Sequence, residues 1–201
     1  MRGLRHAAFT AHHGWMLYRL PPVLSNADLP SAELWAAKLD GQLFQVGDGF
    51  APVDEIVQAT HRALAVHFVG APADGVDSRL IAEQRSAAWI WGALDVAPVH
   101  QQLCVVSNSR AGRDLPRSVS VREVVIRGSE ISLVGGLRVT TPLRTILDLA
   151  RFSEAFESTD IYTVSRLMRQ TGINFEQCEA DVNGRRNLPG KRRALQRLSR
   201  C

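Results

Sequence analysis

Apolar positions in the second half of the chain fall into two registers. From residue 142 they recur at helical spacing: Leu143, Ile146, Leu147 and Ala150 follow i, i+3, i+4, i+7, the stripe of a helix with one face in a core. Thr141-Pro142 predicts where that helix starts. The Thr hydroxyl is a capping oxygen, and Pro at the first helical position loses no hydrogen bond. Three more helices are predicted at about 158–170, 174–182 and 189–199, the first two ended by Gly172 and Gly184. Between 99 and 140 the pattern alternates instead. Segments 99–107 and 119–127 read as strands rich in β-branched residues, and 131–134 and 137–140 read as a hairpin about Gly135-Gly136. Asp77 or Ser78 predicts the cap of a helix running to about Trp91, with Leu80, Ile81, Ala87, Ala88 and Trp91 near one face and Gly92 as its stop.

Before residue 70 the segments are shorter. Ser31, after Pro30, is placed to cap a helix over 31–39, with Glu33 in its first turn and Leu34, Trp35 and Leu39 as its apolar stripe. Asp40-Gly41 ends it, and Gly47-Asp48-Gly49 marks a tight turn between two extended runs. Ahead of it lie 15–20, closed by Pro21-Pro22, and a short segment at 25–29. Helix, turn, helix and hairpin is the order of a winged helix-turn-helix. An apolar stretch at 56–69 and the linker Gly70-Ala71-Pro72-Ala73-Asp74-Gly75 follow. The predicted fold is α+β: a short, degenerate winged-helix-like unit over 1–70, then a mixed α/β domain over 76–201 with a small sheet and a helical C-terminal end.

Composition narrows the function classes. With 201 residues, 45% apolar and 22% charged, the chain can build a sizeable core. No run of about 18 apolar residues is present, so no membrane span is expected. Arg5, His6, His12, His13 and Arg19 break up the first twenty residues, which lack the apolar stretch of a secretory signal. A cytoplasmic protein is therefore expected. Cys104, Cys178 and Cys201 are odd in number and scattered, as free thiols are. The adjacent His12-His13, and His61, His67 and His100 without Cys or carboxylate partners, lack metal-ligand spacing. No metal and no cofactor is expected.

No catalytic motif emerges. There is no G-x-S-x-G, no P-loop, and no G-x-G-x-x-G after a strand. Gly128-Ser129 lacks the pair of aspartates a nucleotidyltransferase places downstream, and no E-x-K or D-x-K exists to build a PD-(D/E)xK nuclease. Asp148 stands on the amphipathic helix with Arg144 four residues before it and Arg151 three after, which predicts a structural ion pair. The expectation is a protein that binds and does not catalyse.

Charge is unevenly distributed. Residues 1–100 hold 7 Lys+Arg against 10 Asp+Glu, residues 101–184 hold 10 of each, and residues 185–201 hold 7 basic and none acidic. That tail reads as a solvated helix, as an arm contacting phosphates with a salt-dependent affinity, or as a patch for an acidic protein partner.

Three segments occur in a set order: Phe50-Ala51-Pro52, Ser86-Ala87-Ala88-Trp89, and Gly136 to Ala150, which carries G-x-x-V-T-x-P-x-R-T-x-L-D-L-A. In these the chain resembles the AbiEi family of antitoxins, the regulatory half of type IV toxin–antitoxin and abortive-infection systems. The resemblance covers roughly residues 25–200. It implies a winged helix-turn-helix that binds operator DNA, repression of the protein's own operon, and counteraction of a nucleotidyltransferase-like toxin. Some longer relatives carry a Vsr-like nuclease after a linker resembling residues 188–195, and no such domain is expected here.

The first sixty residues depart from that pattern, with 4 basic against 6 acidic side chains. A helix read into a groove brings Arg or Lys for phosphates, and 31–40 offers only Lys38. The DNA-contact candidates are accordingly Ser31, Lys38, Gln42 and Gln45 in the small unit, Arg110 and Arg113 in the loop between the strands, and Arg185, Arg186, Lys191, Arg192, Arg193 and Arg197 in the tail. The alternative is a protein-interaction module whose winged helix no longer binds DNA.

Overall fold

A strand of two residues organises the larger sheet. In the computed structural model, which describes residues 20–69, 79–107 and 115–201, β3 (Ile81–Ala82) lies at the centre of a five-stranded sheet. Its neighbours are β4 (Gln101–Val106), β5 (Val119–Val124), β6 (Ile131–Val134) and β7 (Leu137–Thr140), in the order β5-β4-β3-β7-β6. β3 runs antiparallel to β4 and parallel to β7, pairing Ile81 with both Cys104 and Arg138. β5 runs parallel to β4, and β6 and β7 form the expected hairpin. At its turn Gly135 has φ 54°, and a Cβ there would meet the Thr60 carbonyl oxygen at 2.9 Å, so the residue must be glycine.

The helix expected from 77 or 78 to 91 is corrected here. Residues 77 and 78 lie outside the described residues, Ile81 and Ala82 are strand, and α3 covers only Gln84–Ile90. The slot between β4 and β7 takes these two apolar residues as a central strand, and two residues are too few to show a period in the sequence. The chain turns from β3 into α3 through Gln84, in the left-handed region at φ 46°.

The smaller part comprises α1 (Ser31–Leu39), the antiparallel hairpin β1 (Leu43–Val46) and β2 (Gly49–Pro52), and α2 (Ala59–Val69). Residues 25–29 are a turn, not a helix, because Asp28 accepts both the N–H (2.8 Å) and the hydroxyl (3.0 Å) of Ser25. Ser31 does not cap α1 either. Pro30 occupies the cap position, and the Ser31 hydroxyl donates to Asn26 Oδ1 at 2.8 Å. Of the segment expected at 15–20, only Leu20 is among the described residues.

Two cores meet at α3. The first joins Val46 and Ala51 of the hairpin and Ala63 and Val66 of α2 to Leu80 beside the sheet and to Leu103 and Val139 within it. Ala87, Trp89 and Ile90 of α3 complete it. The second collects α4 (Pro142–Phe152), α5 (Ser158–Thr171), α6 (Phe175–Asn183) and α7 (Lys191–Leu198) around Ile146, Leu147, Leu149, Val164, Leu167, Val182 and Leu198, and Ala88 of α3 belongs to it. α4 starts as read from sequence: Thr141 Oγ1 accepts the Arg144 N–H, and Pro142 opens the helix. Gly172 ends α5 in the left-handed conformation, and Asn174 caps α6 by accepting the Gln177 N–H at 2.9 Å. The fold is α+β. Among the described residues no helix is long and apolar enough to cross a membrane.

Candidate functional site

Arginines from three separate stretches of chain converge on one cleft of about 800 Å³. It lies between the end of β5 with the segment after it, one side of α4 and the loop from α6 to α7. Arg122, Arg127, Arg144, Arg151, Arg185 and Arg186 line it, against two carboxylates, Glu123 and Glu130. Phe152 and Pro189 supply apolar wall.

Each inner arginine is held by local structure. Arg122 projects from β5 onto Glu83, which sits between β3 and α3. The pair is bidentate at 2.6 and 2.7 Å, the strong fork geometry of guanidinium and carboxylate. Arg144, in the first turn of α4, reaches one turn along to Asp148 at 2.7 Å and across to Glu130 at 3.1 Å. Glu130 ends a short 3-10 turn before β6 (Gly128–Glu130), and it also accepts from Arg185 Nη2 at 2.6 Å. The second partner of Arg185 is Asp181, at 2.7 Å on α6. Arg151 is the least compensated. Its Nε donates to the Pro189 carbonyl at 3.0 Å, and Nη1 reaches Asp148, already shared with Arg144, only at 3.4 Å. Arg122 and Arg151 both lie against the Phe152 ring, at 4.3 and 4.4 Å from its centre.

Electrostatics follow from that bonding. Burial lowers the Arg151 pKa, Asp148 opposes the shift, and the like charges of Arg144, Arg185 and Arg122 reinforce it. Burial pushes the Asp148 carboxyl above its ordinary range, and Arg144 pulls it back. For Glu130 burial also acts upward. The Arg127 N–H, Arg185 and Arg144 together outweigh it and hold the carboxyl below its ordinary range.

A pH dependence follows from Glu130. A carboxylate with a depressed folded-state pKa contributes stability that is present above its unfolded value, about 4.3, and is lost as pH falls through the folded value. Urea unfolding between pH 7 and pH 3 should therefore show Glu130→Gln less stable at neutral pH and with a flatter acid limb than the parent. Equal acid slopes in the two proteins would show that Glu130 carries no such stability.

The residues predicted from sequence divide sharply. Ser31 bonds Asn26, as above. Lys38 lies over Trp35 at 4.4 Å and donates to Gln45 Oε1 at 2.9 Å, and Gln45 donates onward to the Gly47 carbonyl at 3.0 Å. These side chains brace the helix against the hairpin. Gln42 is exposed beyond the end of α1. Arg110 and Arg113 lie outside the described residues. Three of the six tail candidates hold the fold together: Arg185 as described, Arg193 through the Arg151 carbonyl at 2.7 Å, and Arg197 through the Ala150 and Ser153 carbonyls at 3.1 and 2.8 Å. Arg197 thereby satisfies carbonyls at the C-terminal end of α4. The side chains of Arg186, Lys191 and Arg192 make no hydrogen bond or ion pair among the described residues, and Arg186 and Arg192 are exposed. Sequence reading did not bring Arg122, Arg127, Arg144 and Arg151 to the site. Only the Arg144-Asp148-Arg151 spacing signalled part of it.

Guanidinium groups stay protonated and do not exchange protons in ordinary chemistry, but they bind and neutralise anions. Elsewhere the inventory for reaction is sparse. Among the described residues no three His, Cys, Asp or Glu side chains group as metal ligands. Cys104 and Cys178 are buried, and burial pushes the Cys178 thiol up to about 11, which keeps it from acting as a nucleophile at neutral pH.

No protein-family model matches the chain, and no curated protein matches it. Among solved structures it is similar to the crystal structure of the RV2827C protein from Mycobacterium tuberculosis. The TM-score is 0.50 and the identity 18%, covering 90% of this chain and 72% of that one. At that identity the likeness concerns the fold alone.

Proposed function

We propose that the chain is a DNA-binding regulator of the AbiEi antitoxin type that represses its own operon and counteracts a nucleotidyltransferase-like toxin, with its phosphate contacts made from the arginine cleft and its rim. The observation that carries the reading is a clustering of unpaired cations. Arg127 and Arg186 both line the cleft, and Lys191 and Arg192 begin the helix that follows its wall. All four side chains lack a carboxylate partner among the described residues. Such groups release counterions from a duplex and give affinity without sequence information. The resemblance of the segment from Gly136 to Ala150, which forms β7 and most of α4, supports the antitoxin assignment.

A mobility-shift assay of the full chain on its own upstream DNA at two salt concentrations tests this. Binding should weaken steeply with salt. Replacing Arg186, Lys191 and Arg192 together with Ala should reduce the slope of log K against log salt by about three, one for each phosphate that is no longer neutralised. An unchanged slope removes these residues from the mechanism.

One observation favours the second reading, a protein-interaction module. The outward face of α1 carries Ala32, Trp35, Ala36 and Leu39 at i, i+3, i+4, i+7. Trp35 is 46% and Leu39 85% exposed, and the one basic side chain of the helix, Lys38, is folded onto Trp35 and Gln45. An apolar helix face of this kind suits a protein partner better than a phosphate backbone. No shift of DNA even at low salt would leave that reading in place.

A further inference from the structure

The donors in the arginine cleft outnumber its acceptors. Arg122 uses Nε and Nη2 on Glu83, Arg144 uses Nε and Nη1, Arg185 uses Nε and Nη2, and Arg151 uses Nε and, weakly, Nη1. Each is left with one terminal nitrogen that bonds nothing among the described residues. Those nitrogens are not sealed in the interior, because the buried side-chain polar atoms without a partner are confined, among the described residues, to two histidines on α2. Arg144 and Arg151 are 5% and 6% exposed and line the cleft, so the little surface they show opens on it. At the mouth, the Arg127 and Arg186 side chains bond to no acceptor among the described residues. A built cavity thus presents surplus donors from six guanidinium groups. Asp148 and Glu130, each shared between two arginines, leave Arg151 with a single long contact to a carboxylate.

We propose that this cleft binds a phosphate monoester, as carried by a nucleotide or by the 5′ end of a nucleic acid strand. The monoester brings close to two negative charges and three acceptor oxygens on one centre. That is the complement of several converging N–H groups, and guanidinium suits it by paired hydrogen bonding. A phosphodiester within a duplex offers one charge and two free oxygens, and uses the cleft less fully. The volume is in the range of small-ligand pockets, roughly 300–1,000 Å³, so the cleft accommodates more than the phosphoryl group itself. The inference shares Arg186 with the proposed duplex contacts, but it rests on the free nitrogens of Arg122, Arg144, Arg151 and Arg185, which the mobility-shift variant leaves in place.

The test is calorimetric titration of the full chain at constant ionic strength with AMP, with adenosine, and with one single-stranded oligonucleotide bearing either a 5′-phosphate or a 5′-hydroxyl. AMP or the 5′-phosphorylated strand should bind at least about tenfold more tightly than its unphosphorylated counterpart. AMP succeeding alone identifies a free nucleotide, and the strand succeeding alone identifies a nucleic acid end. Arg127→Ser with Arg186→Ser should reduce that affinity at least about tenfold and leave the unfolding midpoint unchanged, since neither side chain holds the fold. The inference is overturned if neither phosphorylated ligand exceeds its counterpart, or if the double variant binds as the parent does. The duplex in the mobility-shift assay carries 5′-hydroxyl ends, so the DNA-binding reading and this one fail separately.

Discussion

Replacing Asp148 with Ala should destabilise the protein by about 3–5 kcal/mol, because it takes a carboxylate from two buried guanidinium groups and leaves Arg151 with none. Asp148 has no exposed surface. It accepts from Arg144 at 2.7 Å and is the one carboxylate that Arg151 touches among the described residues. Arg144 keeps Glu130 after the loss, but Glu130 is already engaged by Arg185. A like effect is not expected when the whole triad is removed together. Arg144→Met and Arg151→Met combined with Asp148→Leu fill the same space with apolar atoms and leave neither guanidinium behind, and buried ionic groups exchanged in this way are often neutral or stabilising. The chemical-denaturation midpoints of the single and triple variants decide the matter. A triple variant as unstable as Asp148→Ala would show that packing around α4, not uncompensated charge, sets the cost.

Leu147→Ala should cost about 2–5 kcal/mol, from the lost transfer free energy and the cavity left behind. Leu147 is 1% exposed and lies in the core where α4 meets α5, α6 and α7. Two neighbouring walls of that core are fixed by hydrogen bonds from α7 to carbonyls of α4, which limits collapse into the vacated space. Urea unfolding measures the loss, and a change under about 1 kcal/mol would place Leu147 outside the tightly packed face.

These two neighbours on α4 show what was legible in the chain. A helix with Thr141-Pro142 at its start and Leu147 on its stripe is written locally, in spacing and capping chemistry. So was the ion pair of Asp148, since Arg144 and Arg151 stand at helical distances from it. The hairpin about Gly135-Gly136 was equally local. β3 was not, because Ile81 and Ala82 become strand only where β4 and β7 offer them a place. The cleft was hidden for the same kind of reason. Arg122 belongs to a strand, Arg151 to a helix, and Arg185 follows another helix, and only tertiary folding brings them together. The tail illustrates the converse. In sequence the basic residues read as one run with three open roles, and packing divides it into Arg185, Arg193 and Arg197, which bind the protein itself, and Arg186, Lys191 and Arg192, which do not.

The position of α3 has a thermodynamic consequence. From Gln84 to Ile90 every residue but Arg85 is buried, and the neighbours Ala87 and Ala88 serve different cores. A change that loosens the hairpin side removes support from Trp89, and through the same seven-residue helix from the α4 bundle. Cooperativity in a small protein arises from just such shared elements. Melting of one half should thus draw the other with it, so that damage near the β1–β2 hairpin is registered as lost stability beneath the arginines.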